Sequence, residues 1–452
     1  MEEPTEADKR LLSVVVDLTE RKGGQPPTHS EIAIELGYQS SSRANVYRQL
    51  KQLRPKYVDW DSSPRSLHIT ADGLALLKGG TSEADLSLPA SDALLPLLAK
   101  GLTKEALALA EGGIPRVPYS REWNRAMNIL GAEYLLHGLD APSHSEAVVA
   151  WCHRPLKQWP ILFRIPTPHL EKVLLNKDDE PTDFCREYAY EGDAEMEACQ
   201  HLMVEVLNQV KLNRSQSAYV RLRRYLIEHP VVTEEELHHL SYHPDLALLG
   251  EQLLRLYEQV PTTAVDQKTV LTCGFCGWTL VRINGRLRCG DDRCRVLTAN
   301  FTQGTEEREE PVEKLQRVRR AIRRYVVAPG KYELSAMKHL NSIGLTVELW
   351  PNYDQYDLRI RVADDLVWAI DVKDWGFPHL LAKHLKPFEY SANAHWDRAF
   401  YVIPDIRVQE TPNYMNVLQN VVSDAGYQHD FTILTISQLI EEARKQKETL
   451  HA

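Results

Sequence analysis

The chain has 452 residues, 43% hydrophobic and 26% charged, with a formal net charge of -10. That length suits about three domains of ordinary globular composition, and the acidic balance excludes a polycation that coats nucleic acid by bulk charge, so any DNA contact must come from local basic patches. No apolar run is long enough to cross a bilayer, and the acidic start Met1-Glu2-Glu3-Pro4 lacks a signal-peptide core, which predicts a cytoplasmic protein away from membranes.

Residues 7–22 carry Leu11, Leu12, Val15, Val16 and Leu18 at helical spacing. After Pro26-Pro27, Thr28 followed by Glu31 forms a capping box, and Gly37 suits the turn between two helices. Residues 41–53 read as a helix with a polar face of Arg43, Asn45, Tyr47, Arg48, Gln49 and Lys51. Residues 57–69, with Arg65 near the tip, read as a wing, and Thr70-Ala71-Asp72-Gly73 begins the next turn. Over residues 1–78 this pattern resembles the winged helix-turn-helix of LexA-type repressors. The resemblance implies a recognition helix in the major groove of double-stranded DNA, with Arg43, Asn45, Arg48, Gln49 and Arg65 as contacts. A merely solvated polar face, or a protein-binding winged helix, is the competing reading.

Residues 79–95, rich in Gly, Ser, Ala and acids, read as a linker, and residues 96–262 as a mainly helical middle region. Helices are expected over 97–110 and 195–212. Residues 221–237 repeat the logic of helix, turn and capped helix, as a second helix-turn-helix-like unit. His238, His239 and His243 lack the cysteine or carboxylate spacing that compels a metal, and Cys152, Cys185 and Cys199 read as buried thiols.

Cys273-Gly274-Phe275-Cys276 is followed, after twelve residues, by Cys289 and then Cys294. Paired thiolates on tight turns suit one tetrahedral zinc, and glycines at 274, 277, 285 and 290 permit those turns. Asn284-Gly285 is a hairpin signal after an expected strand over 278–283. Residues 268–300 thus resemble a zinc ribbon holding a structural Zn2+; disulfides are the alternative, disfavoured in a reducing compartment. Residues 304–311 read as an acidic hinge. Residues 314–325 read as a helix with Leu315, Val318, Ile322 and Tyr325 on one stripe. Its arginines, Arg317, Arg320 and Arg324, would face outward, either to track phosphates or as a solvated face balanced by nearby glutamates.

Tyr356-Asp357-Leu358-Arg359-Ile360-Arg361-Val362 and Val367-Trp368-Ala369-Ile370-Asp371-Val372-Lys373 read as a hairpin turning at Ala363-Asp364-Asp365. Asp371 and Lys373, two apart on a strand, share a face. Converging carboxylates suit a hard cation, and an ammonium beside them can orient water and offset charge on a phosphate. An exposed strand edge is the bland alternative.

This hairpin resembles the PD-(D/E)xK, restriction-endonuclease-like superfamily, with Asp357 as the first acid and Asp371-Val372-Lys373 as the acid-x-Lys element. Tyr356 replaces the usual proline, and Asp354 competes with Asp357. The expected order is a helix over 331–342 carrying Glu333, a strand over 345–350, the hairpin, a helix near 379–395, a strand over 398–404, and a last strand and helix. The resemblance covers residues 312–452. It implies an α/β endonuclease domain in which Asp357 and Asp371 hold Mg2+ or Mn2+, Glu333 completes the metal shell and Lys373 positions water, leaving a 5′-phosphate and a 3′-hydroxyl.

The whole reads as a multidomain α+β protein, a metal-dependent DNA endonuclease of bacterial defence. It is similar within that class to nucleases that accompany prokaryotic PIWI-type proteins. Gating by a defence-system partner or by homodimerisation is expected. The alternatives are a DNA-binding regulator or scaffold with an inactive or gated nuclease fold, and a nuclease acting on RNA or branched structures.

Overall fold

The computed structural model describes residues 5–451 except 23–24, 39–42, 61–65, 71–72, 74–76, 78–87, 90–91, 111–118, 137–141, 143–144, 267, 284–285, 292, 295–304, 391 and 428. Arg65, the Asn284-Gly285 turn and most of the linker expected over 79–95 lie outside the described residues. The protein is multidomain and α+β, with two compact units. One comprises Met1–Ala189, Phe377–Lys383 and Thr411–Ala425; the other comprises Tyr190–Gly376, His384–Glu410 and Gly426–Ala452. The helical stretch expected over 96–262 therefore divides at Ala189.

In the first unit, helices Glu6–Arg21, His29–Glu35 and Arg43–Leu53 precede an antiparallel pair, Val58–Asp59 with His68–Ile69. Leu11, Leu12, Val15 and Leu18 are buried against Ile32, Ala33, Val46 and Leu50, the apolar stripe of each helix turned inward. Thr28 caps the short helix: its Oγ1 accepts from the Glu31 amide, and the Glu31 carboxylate accepts from the Thr28 amide at 2.7 Å. A second core joins helices Leu94–Ala110, Arg121–Leu136, Ser145–Cys152 and Asp183–Ala189 through Leu98, Trp123, Leu130, Cys152 and Cys185. The helix Tyr414–Asp424 also belongs to this unit. Asn413 Nδ2 donates to the Arg21 carbonyl, and buried Gln25 exchanges side-chain hydrogen bonds with Asn420 and Asp424.

The second unit is built on a five-stranded sheet in the order Thr346–Leu349, Leu358–Ala363, Leu366–Val372, Arg398–Ile403, Thr432–Thr435. The first three strands are antiparallel and the last two run parallel to the third. Helices Ala328–Ser342 and Ile436–His451 contribute Ala336, Leu340, Leu439 and Ala443 to the core containing Leu358, Ile360, Trp368, Ile370 and Phe400. Upstream, helix Gln216–Glu228, strand Val231–Thr233, helices Glu234–Ser241 and Gly250–Leu256, and strand Tyr257–Gln259 follow one another. Strand Leu315–Val318 then pairs between Val231–Thr233 and Tyr257–Gln259.

Three expectations are corrected. Residues 314–325 are not one amphipathic helix: Leu315–Val318 is the central strand of that three-stranded sheet, and the helical run starts at Arg320. That run continues through a π-helical turn, Arg323–Val327, into Ala328–Ser342. Pro329 cannot donate its backbone nitrogen and crowds the preceding turn, and the widened turn before it relieves that conflict. Within the acidic segment expected as a hinge, Glu306–Arg308 is a strand paired with Thr269–Thr272. Among the described residues of the stretch near 379–395, the helix runs only over Pro378–Ala382, with a 3-10 turn over Ala392–Ala394.

The first unit also holds a histidine pair, His169 buried and His379 half-buried. His169 lies among Phe184, Tyr188, Phe377 and His379, with Nδ1 3.1 Å from Tyr188 Oη. Burial, reinforced by His379, Lys172 and Lys383, lowers its pKa to about 3, and burial with Lys383 lowers His379 to about 4. An unfolded chain, with histidine pKa of about 6.5, therefore takes up these protons first. Stability is complete above about pH 6.5 and falls as the pH drops toward 4, by at most ~1.4 kcal/mol per pH unit for each group. Urea titrations of the wild type and His169→Phe at pH values from 7 to ~4.5 check this: the variant is expected to show a shallower pH slope.

Candidate active site and metal centre

The hairpin places the acid pair by backbone pairing. The Asp357 amide donates to the Ile370 carbonyl at 3.0 Å, and Leu358 pairs with Ile370, so Asp357 enters the sheet beside Asp371 and Val372. The Val372 amide donates to Asp357 Oδ2 at 2.7 Å. Asp371 lies on the Leu366–Val372 strand, and Lys373 follows it, anchored by its amide to the Val402 carbonyl at 2.8 Å. Lys373 Nζ pairs with Asp371 Oδ2 at 2.8 Å, and the Lys373 side chain remains 30% exposed.

Glu333 sits on the Ala328–Ser342 helix, 2% exposed. Its carboxylate accepts from Trp350 Nε1 at 2.5 Å and from Arg223 Nη2 at 3.0 and 3.1 Å. Sequence reasoning missed Arg223. It projects from the Gln216–Glu228 helix, is 7% exposed, pairs through Nη1 with Asp354, and places Nη2 3.6 Å from Asp357 Oδ1. The guanidinium also stacks over the Trp350 ring at 4.7 Å. A signal was present: Arg223 falls in phase with Tyr219, Leu222 and Leu226, the buried stripe of its helix. An arginine on a buried stripe requires buried acids to meet it.

Asp354, the rival to Asp357, accepts from Tyr219 Oη at 2.6 Å and from Arg223. It ends a run of positive φ at Trp350, Asn352, Tyr353 and Asp354 (45°, 49°, 60° and 71°), which strains side-chain-bearing residues. Gln216 holds this run, donating to the Trp350 carbonyl at 2.5 Å and accepting from the Tyr353 amide at 2.6 Å. Gln216, Tyr219 and Arg223 recur at helical spacing, so one face of one helix grips both the strained turn and the acids.

Burial, with Asp354 and Asp371 nearby, raises the Glu333 pKa against the opposing pull of Arg223. Burial, Glu333 and Asp371 raise Asp357 well above the carboxylate range. Burial alone would lower Lys373, but Asp371 and Asp357 outweigh it and keep the ammonium charged. Carboxylate oxygens are the donors a hard divalent cation takes, and Mg2+ commonly uses one or two of them with water and phosphate completing its shell. Asp357 and Asp371 fit that need.

The second centre is made of sulfur. Among the described residues, the four Sγ atoms of Cys273, Cys276, Cys289 and Cys294 form the one cluster of His, Cys, Asp or Glu ligand atoms within 4.8 Å of one another, and all four residues are buried. Cys276 Sγ lies 3.6 Å from Cys289 Sγ. That is far longer than a disulfide and close to the ~3.8 Å sulfur separation implied by tetrahedral Zn–S bonds of ~2.3 Å. Gly277, at φ +71°, permits the tight turn in which its amide donates to the Cys273 carbonyl at 2.8 Å. Four thiolates leave no open position for water, so zinc here would be structural.

The arginines expected outside are drawn inward around this centre. Arg317 is buried, stacked on Trp278 at 4.0 Å, and bonded to Thr279 and Glu258. Arg320 and Arg324 pair with buried Glu195 at 2.7 and 3.1 Å. Arg317 turns inward because it lies on a central strand rather than a surface helix, and Arg320 and Arg324, on the helical run that follows, turn inward to meet Glu195, so none of the three forms an outward phosphate-tracking face. Buried Asp291, between Cys289 and Cys294, pairs with Arg323 and Arg293. Arg293 in turn reaches Asp374, the neighbour of Lys373, at 3.0 Å. The cysteine centre is thereby tied to the acid-x-Lys loop. Arg43, Asn45, Arg48 and Gln49 are exposed on their helix, with Arg48 Nη2 donating to Asn45 Oδ1.

A family model described as "REase associating with pPIWI_RE" matches residues 330–451, and one described as "pPIWI_RE three-gene island domain Y" matches residues 94–233. No curated protein and no solved structure matches the chain. The C-terminal match spans Glu333, Asp357, Asp371 and Lys373 and associates this region with a nuclease-like role. No helix among the described residues is long and apolar enough to cross a membrane.

Elemental analysis of the purified chain is expected to find about one zinc per chain, lost in Cys276→Ser together with thermal stability. Full stability without zinc would contradict the structural role. Gly330 supplies a second test. A Cβ there would lie 2.3 Å from Ile227 Cδ1, so its absence lets the Arg223 helix approach the Glu333 helix. Gly330→Ala is expected to cost roughly 1–3 kcal/mol by overpacking, read by chemical denaturation.

Proposed function

We propose that this chain is a divalent-metal-dependent DNA endonuclease, acting in the cytoplasm with partner proteins of a three-gene pPIWI_RE defence island. The observation that carries the reading is the meeting of Asp357, Asp371 and Lys373 on adjoining strands, inside the region similar to a REase family. Asp357 and Asp371 would hold Mg2+ or Mn2+, which would supply Lewis-acid stabilisation of the phosphate and lower the pKa of water. Lys373, charged and partly exposed, would orient the attacking water and offset charge on the phosphate. Water oxygen would bond to phosphorus as the bond to the 3′ oxygen breaks, leaving a 5′-phosphate and a 3′-hydroxyl. Glu333, expected to complete the metal shell, instead holds Arg223 and acts on the site through it.

Delivery to duplex DNA would rest on the N-terminal helices as a winged helix-turn-helix. Its exposed Arg43, Asn45, Arg48 and Gln49 are suited to phosphates and base edges, and a basic residue at Arg65 is suited to a wing. The second unit holds a related order that adds a strand after its first helix: helix, strand, two helices, and two further strands with the third strand central. The cysteine-bearing segment occupies the place of its wing, a second winged helix with a zinc ribbon inserted. The alternative of a scaffold with a gated nuclease fold draws on one feature, the arginine seated among the acids. Homodimerisation is a further candidate means of gating.

Supercoiled and linear duplex DNA, incubated with Mg2+ or Mn2+ with and without the island's partner proteins, separates these readings. Wild type is expected to cut, with Asp371→Ala and Lys373→Ala each reduced by about 10²-fold or more. Undiminished cutting by both variants would sink the site assignment. Absence of cutting in every combination, with duplex binding intact, would favour the scaffold.

A further inference from the structure

Glu333, Asp354, Asp357 and Asp371 surround two built-in cations, Arg223 and Lys373. Fully ionised, this set carries four negative and two positive charges. One divalent ion neutralises the difference, and two would overshoot it. Arg223 engages both oxygens of Glu333 at 3.0 and 3.1 Å, is ion-paired with Asp354, and lies 3.6 Å from Asp357. A guanidinium keeps its charge and its planar fork of donors, so those oxygens have a permanent partner.

The seat of Arg223 is built in. Trp350 lies against the guanidinium while donating to the same glutamate, Tyr219 shares Asp354 with it, and Gly330 allows the two helices to approach. Sites that use two ions hold them about 3.5–4 Å apart, and here Arg223 already engages Glu333 and Asp354, two carboxylates a second ion would draw on.

We propose that Arg223 is the resident second cation of this site. With Glu333 and Asp354 engaged by it, the site takes a single divalent ion, at Asp357 and Asp371. The inference rests on the metal-dependent reading of the site. Arg223 lies outside residues 330–451 and within residues 94–233, so the region similar to the island's domain Y completes a site carried by the REase-like region.

Mn2+ binding to the full-length, zinc-loaded chain, counted by electron paramagnetic resonance and titrated by calorimetry, tests this without relying on activity. Wild type is expected to bind one Mn2+, and Asp371→Ala none. Arg223→Gln is expected to bind a second ion, or one ion roughly tenfold more tightly, the effect of removing a nearby positive charge. Arg223→Lys is expected to keep the single ion. Melting curves establish which variants fold. Should Arg223→Gln not fold, Glu333→Gln carries the test, expected to keep one ion with affinity within about threefold of wild type because Glu333 serves the arginine. Two ions on wild type, unchanged count and affinity in Arg223→Gln, or loss of the ion in Glu333→Gln would each overturn the inference. No Mn2+ on wild type would overturn the metal-dependent reading beneath it.

Discussion

A carboxylate moved out of water must be neutralised or met by an opposite charge, because an isolated buried ion costs many kcal/mol. Glu333 and Asp357 are both buried, and Arg223 is buried with them. Much of the second unit follows from satisfying that condition. The Gln216–Glu228 helix must lie close enough to deliver a guanidinium, which Gly330 permits. The turn carrying Asp354 must hold an uncommon left-handed run, which Gln216 secures. Trp350 must donate its indole proton to a carboxylate and offer its face to a cation. Deleting one partner of such a cluster commonly costs roughly 3–5 kcal/mol, so these residues stand or fall together.

The cysteine centre applies the same rule with a different cation. Four buried thiols converge too closely to be accidental and too far apart to be disulfides. Around them Arg317 and Arg323 both lie against the Trp278 ring, and Asp291 pairs with Arg323 and Arg293. Arg293 then bridges to Asp374 beside Lys373. The loop bearing the four clustered cysteines is thus tied through Arg293 and Asp374 to the acid-x-Lys segment, as outer supports of a site commonly are.

Several parts of this architecture are legible in the chain itself. Thr28 and Glu31 cap a helix because their spacing satisfies orphan amides locally. The hairpin at 363–365 is readable from alternation, and Asp371 and Lys373 from a period of two. Cysteine spacing announced one cluster. The stripe of Leu315, Val318, Ile322 and Tyr325 suits one helix with Arg317, Arg320 and Arg324 outward, while the strand that Arg317 joins is set by partners 59 and 86 residues upstream, Glu258 and Val231. Arg223 went unnoticed because Arg221, Arg223 and Arg224 look alike in sequence, and only the helix phase separates the buried one.

By itself the sequence determined what depends on near neighbours: caps, the hairpin, the cysteine pairs, and the shared strand face of Asp371 and Lys373. Local backbone geometry enforces each of these over a few residues. Only the tertiary structure decided which charges meet. Arg223 joins Glu333 across 110 residues and Asp354 across 131, and Arg293 joins Asp374 across 81. No local period encodes such pairings, because they arise when distant elements are driven into one core and their buried charges must find partners.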